Sequence, residues 1–131
     1  MKTVIASLLI LSVIPLLCAW IAAYYKQKQL GNVDNKEPRI QTMQLTGPGA
    51  RASAAQGNTW EALAVFSAAV LAVLISGADL ESISTLSTIF VALRIAYVPV
   101  YIADLDKLRS LIFLAGFGIC MYLFSVALGA G

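Results

Sequence analysis

Four long apolar stretches alternate with polar segments along the chain. The first stretch covers residues 3–25 and contains no charged residue, and the other three are predicted over about 50–76, 81–103 and 108–128. Each stretch has roughly the 20 apolar residues that an α-helix needs to cross the hydrocarbon core of a bilayer. The pattern therefore predicts an all-α protein, a single membrane domain over residues 1–131 built as a four-helix bundle.

The polar segments between these helices differ in length. Residues 26–49 form the only long one, rich in Lys, Gln, Asn, Asp and Glu, and it closes with the helix-breaking sequence Gly47-Pro48-Gly49. Gly77 and Asp79 end the second predicted helix. The connector at 104–107 is so short that the third and fourth helices must be antiparallel neighbours.

Charge is distributed unevenly over the connectors, and this bias predicts the orientation in the membrane. Only acidic residues, Asp79 and Glu81, occupy the second connector. By the positive-inside rule the cation-rich first connector is cytoplasmic and both termini lie outside. We expect a multi-pass protein of the bacterial inner membrane or an equivalent membrane. The charges of the first connector, read as far as residue 51, are Lys26, Lys28, Lys36, Arg39 and Arg51 against Asp34 and Glu37.

The composition supports the membrane assignment. Hydrophobic residues make up 60% of the chain and charged residues 12%, whereas a soluble domain is typically about 45–50% apolar and about 25% charged. The net charge of +2 is small, and no basic and aromatic residues are interleaved in the connectors. The lipid bilayer is therefore a predicted partner, and nucleic acid is not.

The chain contains no histidine, which excludes a Ser-His-Asp triad and a histidine-ligated metal or haem site. Its two cysteines, Cys18 and Cys120, both lie in apolar stretches and form no C-x-x-C pair. We interpret them as small apolar residues of the helices and predict no metal site.

Polar side chains inside membrane helices are costly, so they mark candidate functional positions. At 3.6 residues per turn, the second and third predicted helices each carry a stripe of polar residues on one face. These residues are Arg51, Asn58 and Glu61 on the second helix and Arg94, Tyr97 and Tyr101 on the third.

The two opposite charges in these stripes are predicted to reach the same depth. Glu61 is nine residues beyond Ala52, and Arg94 is nine residues before Ala103, at the same membrane boundary. At 1.5 Å per residue, both lie about 14 Å below that boundary. The spacing predicts an ion pair across the two helices, with either a structural or a functional role.

A third group of polar residues begins the fourth helix. Arg109 and Ser110 offer a guanidinium and a hydroxyl near a helix N-terminus, an arrangement that suits an anion or a thiolate. The competing interpretation is that Lys107 and Arg109 only anchor the helix at the membrane boundary. Because all three helices direct polar groups to the cytoplasmic half of the bundle, we favour a functional site there.

These motifs, taken together over residues 47–113, resemble the MAPEG family, the membrane-associated proteins in eicosanoid and glutathione metabolism. The second helix carries the resemblance through polar positions that follow the Gly-Pro-Gly breaker, and the third through an arginine with a tyrosine seven residues later. The matching residues are Arg51, Ala52, Asn58, Glu61 and Phe66, then Arg94 and Tyr101, then Arg109 and Ser110.

The resemblance implies a homotrimer that binds glutathione between protomers near the cytoplasmic face. It implies that Arg109 and Ser110 are catalytic and stabilise the glutathione thiolate, which attacks a lipophilic small-molecule electrophile dissolved in the bilayer. The glutathione-binding residues implied are Asn58, Glu61, Arg94, Tyr101, Arg51 and, from the adjacent protomer, Lys26. The expected activity is that of a glutathione S-transferase or peroxidase.

Two alternatives to this activity stay open. Ala54 and Gly57 occupy positions where members of the family carry further arginines, and Phe113 stands where they tend to have a tyrosine. These differences favour a non-catalytic assembly or lipid-binding protein of the same fold. A small proton-coupled exporter is a third hypothesis, since Glu61 is a single carboxylate predicted inside the membrane.

Overall fold

The computed structural model describes residues 1–130, most of which are helical and none of which form a strand. This confirms the predicted all-α class. The stretches that contain α1, α3, α4 and α5 are long and apolar enough to cross a membrane. The α-helices are α1 (Lys2–Leu30), the short α2 (Pro38–Thr42), α3 (Gly47–Ser76), α4 (Ser84–Ile102) and α5 (Asp106–Leu128), with a 3₁₀ turn at Leu80–Ile83 before α4.

The four long helices form an antiparallel bundle with α3 and α4 at its centre. Both α1 and α5 pack against α3 and against α4, and α3 also packs against α4. The amino group of Met1 pairs with the Glu81 carboxylate at 2.6 Å, so the N-terminus lies at the same end of the bundle as the α3–α4 turn. The first connector and the α4–α5 turn lie at the other end.

The core follows the helical spacing of apolar residues. On α1, residues Val4, Leu11, Ile14 and Cys18 are buried at intervals of three, four or seven positions, which places them on one face. Between α3 and α4, the rings of Phe66 and Phe90 are stacked with their centroids 4.4 Å apart. Outward-facing residues are also apolar, as expected for a surface that contacts lipid. The most exposed include Leu9, Trp20, Leu74, Ile75, Leu111 and Leu114.

Two helices extend beyond the apolar stretches that predict them. The first helix continues to Leu30, past the predicted end at residue 25, and stops where Gly31 adopts a left-handed conformation with φ 82°. The second long helix begins at Gly47 instead of residue 50, because Pro48 fits the first turn of a helix, where no backbone donor is needed. Hydropathy locates the membrane-spanning part of a helix, and these ends lie outside it.

The first connector is folded back onto the bundle. The buried Lys26 Nζ donates to the carbonyl oxygen of Pro38 at 2.8 Å, which ties α2 to the end of α1. Gln41 is also buried, and its Nε2 donates to the carbonyl oxygen of Asn32 at 3.0 Å. The connector therefore has a defined conformation at this end of the bundle.

Arg51 fixes how α3 and α4 are aligned. Its Nε donates to the carbonyl oxygen of Ile102 at 2.8 Å, satisfying one of the unpaired carbonyls at the end of α4. Its Nη1 lies 3.7 Å from the carboxylate of Asp104, which occupies the α4–α5 turn with φ 64°. The helices are antiparallel, so positions further into the bundle have higher numbers on α3 and lower numbers on α4. Eight residues inward from the contact between Arg51 and Ile102, Thr59 of α3 is therefore level with Arg94 of α4.

We predict that Gly49→Ala destabilises the bundle, because α1 and α3 lie in close contact there. A Cβ at position 49 would lie 2.6 Å from the Cβ of Tyr25, an atom next to the backbone that a rotation of the tyrosine side chain cannot move away. Overpacking of this kind costs about 1–3 kcal/mol. The measurement is the thermal unfolding midpoint of the purified protein in detergent.

Gly57→Ala is the matched control, since it lies on the same helix and a Cβ there would have no neighbour within 4 Å. This change should leave the midpoint unchanged or raise it, because alanine favours a helix by about 0.5–1 kcal/mol over glycine. Equal midpoints for the two variants would contradict the close contact between α1 and α3.

Candidate functional site

Arg94 is a buried cation in the middle of α4, with only 3% of its surface exposed. Its Nη2 donates to Asn58 Oδ1 and to Thr59 Oγ1, each at 3.0 Å. The hydroxyl of Thr59 donates in turn to the carbonyl oxygen of Ala55 at 2.8 Å, which leaves its oxygen free to accept from Arg94. Neutral acceptors of α3 therefore hold the guanidinium.

The predicted ion pair between Glu61 and Arg94 is wrong. Among residues 1–130 the ion pairs are Met1 with Glu81 and Arg51 with Asp104. The alignment of α3 and α4 explains the difference, since it brings Thr59 level with Arg94. Glu61 lies two residues further along α3, about 3 Å deeper at 1.5 Å per residue, and is exposed.

Two tyrosines on α4 connect Arg94 to Arg109 of α5. The Cζ of Arg94 lies 4.0 Å from the ring centroid of Tyr97, and the Cζ of Arg109 lies 4.5 Å from that of Tyr101. The two rings contact each other edge to face with centroids 5.6 Å apart. Guanidinium groups bind favourably over aromatic faces, so this row of side chains holds both arginines in place.

A cleft of about 390 Å³ opens beside this row, and we name it the polar cleft. Side chains from α3, α4 and α5 meet in it, near the end of the bundle where the α4–α5 turn lies. It combines one cation with phenol, amide and hydroxyl groups. Its lining residues are Asn58, Tyr97, Tyr101, Arg109, Ser110, Phe113 and Leu114.

A second cleft, of about 210 Å³, lies between the same three helices, and we name it the apolar cleft. Most of its wall is hydrocarbon or aromatic, with Arg94 and Glu61 as its charged members. Phe113 lines both clefts, so its ring forms part of the boundary between them. The lining residues of the apolar cleft are Glu61, Ala62, Val65, Phe90, Arg94, Phe113, Gly116, Phe117 and Cys120.

The structure brings together half of the predicted site residues in one cleft. Asn58, Tyr101, Arg109 and Ser110 line the polar cleft. Arg94 and Glu61 line the apolar cleft instead. The division follows from position along α4, because Arg109 packs over Tyr101, which lies seven residues or two turns beyond Arg94.

The two remaining predicted residues, Arg51 and Lys26, lie in neither of these clefts. Arg51 is engaged with the end of α4 through Ile102. Lys26 lines a third cleft, of about 450 Å³ between α1, α2 and α3, together with Arg39 and Gln56. Within one protomer, Lys26 therefore serves to hold the first connector.

Arg109 and Ser110 offer different chemistry within the polar cleft. Arg109 is half-buried, and its side chain donates no hydrogen bond to any residue in 1–130, so its N–H groups are free for an anion. The Ser110 hydroxyl donates to the carbonyl oxygen of Asp106 at 3.0 Å. Its oxygen is then an acceptor, and its proton becomes available to a ligand only if the side chain rotates.

Sequence reasoning missed Thr59, and it placed Tyr97 in the polar stripe of the third predicted helix without assigning it a role in the site. Thr59 gives no signal, because threonine is common in membrane helices and its hydroxyl usually bonds to its own helix. Tyr97 does carry a signal: it lies three residues after Arg94 and four before Tyr101, a spacing that places all three on one face of α4.

The comparison with known protein families gives one match. The sequence model of the MAPEG family matches residues 3–129, nearly the whole chain. No curated protein and no solved structure matches.

We predict that Thr59→Val destabilises the bundle by about 1–3 kcal/mol, because it removes a hydrogen-bond acceptor from a buried guanidinium. Thr88→Val is the control, since Thr88 is exposed on α4 and its hydroxyl donates only to the carbonyl oxygen of Ser84. Thermal unfolding in detergent measures both. A loss of stability no greater for Thr59→Val than for Thr88→Val would show that the contact with Arg94 is not needed.

Proposed function

Since the chain belongs to the MAPEG family, we propose that it is a membrane-embedded glutathione-dependent transferase or peroxidase. It activates the thiolate of glutathione against lipophilic electrophiles. The observation that supports this best is the polar cleft, in which Arg109 and Ser110 from α5 meet Asn58 from α3 and Tyr101 from α4.

The donors of the polar cleft fit a ligand with several anionic groups. Arg109 carries a full positive charge, stacks on Tyr101 and keeps its N–H groups free. Asn58 and the phenol of Tyr101 add neutral hydrogen-bonding groups in the same cleft. Glutathione has two carboxylates and a thiol, so a single guanidinium serves one of its charges and the others need further cations.

Those further cations come from assembly in this proposal. We propose a homotrimer in which Lys26 of an adjacent protomer binds a glutathione carboxylate. Lys26 lines an open cleft with a second cation, Arg39, and with no acidic residue. The cleft is thus suited to an anionic group presented by a neighbour. Glu61, one turn beyond Asn58 on α3, lines the apolar cleft, so the ammonium group of glutathione meets no acidic residue in the polar cleft.

The chemistry follows from where Arg109 lies. When bound, glutathione supplies a sulfur nucleophile. In the transferase reaction its S–C bond to the electrophile forms as the leaving group departs or as a strained ring of the electrophile opens. Arg109 favours the charged thiolate over the thiol by electrostatic attraction. Ser110 positions the sulfur if its hydroxyl turns from Asp106 towards the cleft. The thiol proton passes to water at the membrane boundary.

The orientation is part of the proposal. With the first connector in the cytoplasm and the termini outside, the polar cleft opens near the cytoplasmic boundary, where water-soluble glutathione is accessible. The apolar cleft lies beside it, and a lipophilic substrate would enter from the bilayer.

A non-catalytic lipid-binding protein is the second candidate. The observation that favours it is Phe113, which presents a ring without a hydroxyl at the boundary of both clefts. A tyrosine there would add a donor for the thiolate. An exporter is less favoured, because Glu61 is exposed at the apolar cleft and α1 carries no acidic residue.

We predict that Arg109→Ala abolishes thiolate formation and weakens glutathione binding by about tenfold or more, since charge-assisted hydrogen bonds are worth about 1.5–3 kcal/mol. The measurement is a glutathione titration of the protein in lipid nanodiscs, followed by thiolate ultraviolet absorbance and by calorimetry. Lys107→Ala removes a cation from the same turn of α5 that does not line the polar cleft, and it should leave both signals unchanged.

The other results of this titration separate the candidates. Saturable binding with no thiolate signal would favour the non-catalytic protein. If the folded wild-type protein binds no glutathione at all, the transferase and peroxidase activities are ruled out.

A further inference from the structure

The apolar cleft contains a feature that the proposed chemistry does not use. Arg94 is buried, and its Nε is the one fully buried side-chain donor in residues 1–130 that has no hydrogen-bond partner. Its Nη1 also has no acceptor, since the hydrogen bonds of this side chain all come from Nη2. An unsatisfied buried donor is unfavourable, and more so when the group carries a charge.

The surroundings of Arg94 define which kind of molecule would satisfy it. The rest of the cleft wall is formed largely by Val65, Phe90, Phe113 and Phe117. Phe113 and Phe117 are 41% and 46% exposed at the surface of the protomer, so the cleft opens to the outside of the bundle between aromatic rings. The cleft therefore suits an apolar molecule with a hydrogen-bond acceptor at one end.

The charge of the cleft indicates what that acceptor is. Arg94 and Glu61 give it one positive and one negative charge. A carboxylate ligand would be attracted by the first and repelled by the second, and it would add a net charge to a region of low dielectric. A carbonyl oxygen accepts from the guanidinium, brings no donor that needs a partner, and leaves the cleft neutral.

We propose that the apolar cleft binds an uncharged lipophilic carbonyl compound from the bilayer, whose oxygen accepts a hydrogen bond from Arg94. This inference rests on the proposed function and names its electrophile as a carbonyl compound with a conjugated C=C bond. The thiolate sulfur would bond to the β-carbon as the C=C π electrons shift and the carbonyl electron pair moves to the oxygen held by Arg94, and water would then protonate the resulting enolate. Phe113 lines both clefts, so the ligand would lie next to the polar cleft that contains Arg109. Arg94 is thereby assigned to the lipophilic ligand and not to glutathione.

The test uses the full chain in phosphatidylcholine nanodiscs without glutathione. The probe is methyl undecyl ketone, isotope-labelled at its carbonyl carbon and unreactive towards the protein. Infrared difference spectra should show a carbonyl band shifted to lower frequency that saturates as ketone is added. Arg94→Lys keeps the charge but lacks the guanidinium fork, and it should abolish that shifted band.

A second pair of variants does not disturb Arg94. Ala62→Leu fills the apolar cleft and should weaken ketone binding by about fivefold or more, whereas Ala64→Leu adds the same volume at an exposed position of α3 outside the cleft and should change it by less than about twofold. Laurate, of comparable chain length, should displace the ketone only weakly.

The results that would overturn the proposal are specific. They are the absence of a saturable shifted band with folded protein, equal ketone affinity in Ala62→Leu and Ala64→Leu, or stronger binding of laurate than of the ketone. If the protein binds the ketone as described but binds no glutathione, the carbonyl site stands and the proposed transferase function fails alone.

Discussion

A positive charge inside a membrane-spanning bundle must be surrounded by hydrogen-bond acceptors, and the placement of Arg94 shows how this constraint organises the protein. The guanidinium projects from α4 onto α3, where Asn58 and Thr59 accept from it. Both acceptors are neutral, so the interaction leaves a full charge and two unfilled donor nitrogens beside an apolar cleft. The central pair of helices is held together by a group that is itself available to a ligand.

The separation into two clefts follows from that placement. Arg94 and Arg109 are linked through Tyr97 and Tyr101, whose rings fill the space between the two cations. One arginine lies at the membrane boundary among polar groups, and the other lies deeper among aromatic rings. In the proposed reaction, a water-soluble thiol and a lipophilic electrophile have opposite solvation requirements, and adjoining clefts of opposite polarity would satisfy both.

Much of the fold was predictable from hydropathy alone. Four apolar stretches indicate four membrane helices because each helix must satisfy its own backbone hydrogen bonds in lipid. The polar cleft was also partly predictable, since Asn58, Tyr101, Arg109 and Ser110 occupy positions whose spacing and distance from the boundary bring them to one end of the bundle. The extension of α1 to Leu30 was not predicted, because helix formation continues where apolar composition ends.

The amino-acid sequence by itself determined the number of membrane-spanning helices, the membrane environment and four of the residues that line the polar cleft, since these depend on composition and on spacing within a helix. Only the tertiary structure decided the partners of the buried charges. Arg51 binds the end of α4, and this contact aligns Thr59, and not Glu61, with Arg94. A shift of two residues along a helix is about 3 Å. That distance decides between an ion pair and a guanidinium held by neutral acceptors, and it is set by contacts between residues far apart in the chain.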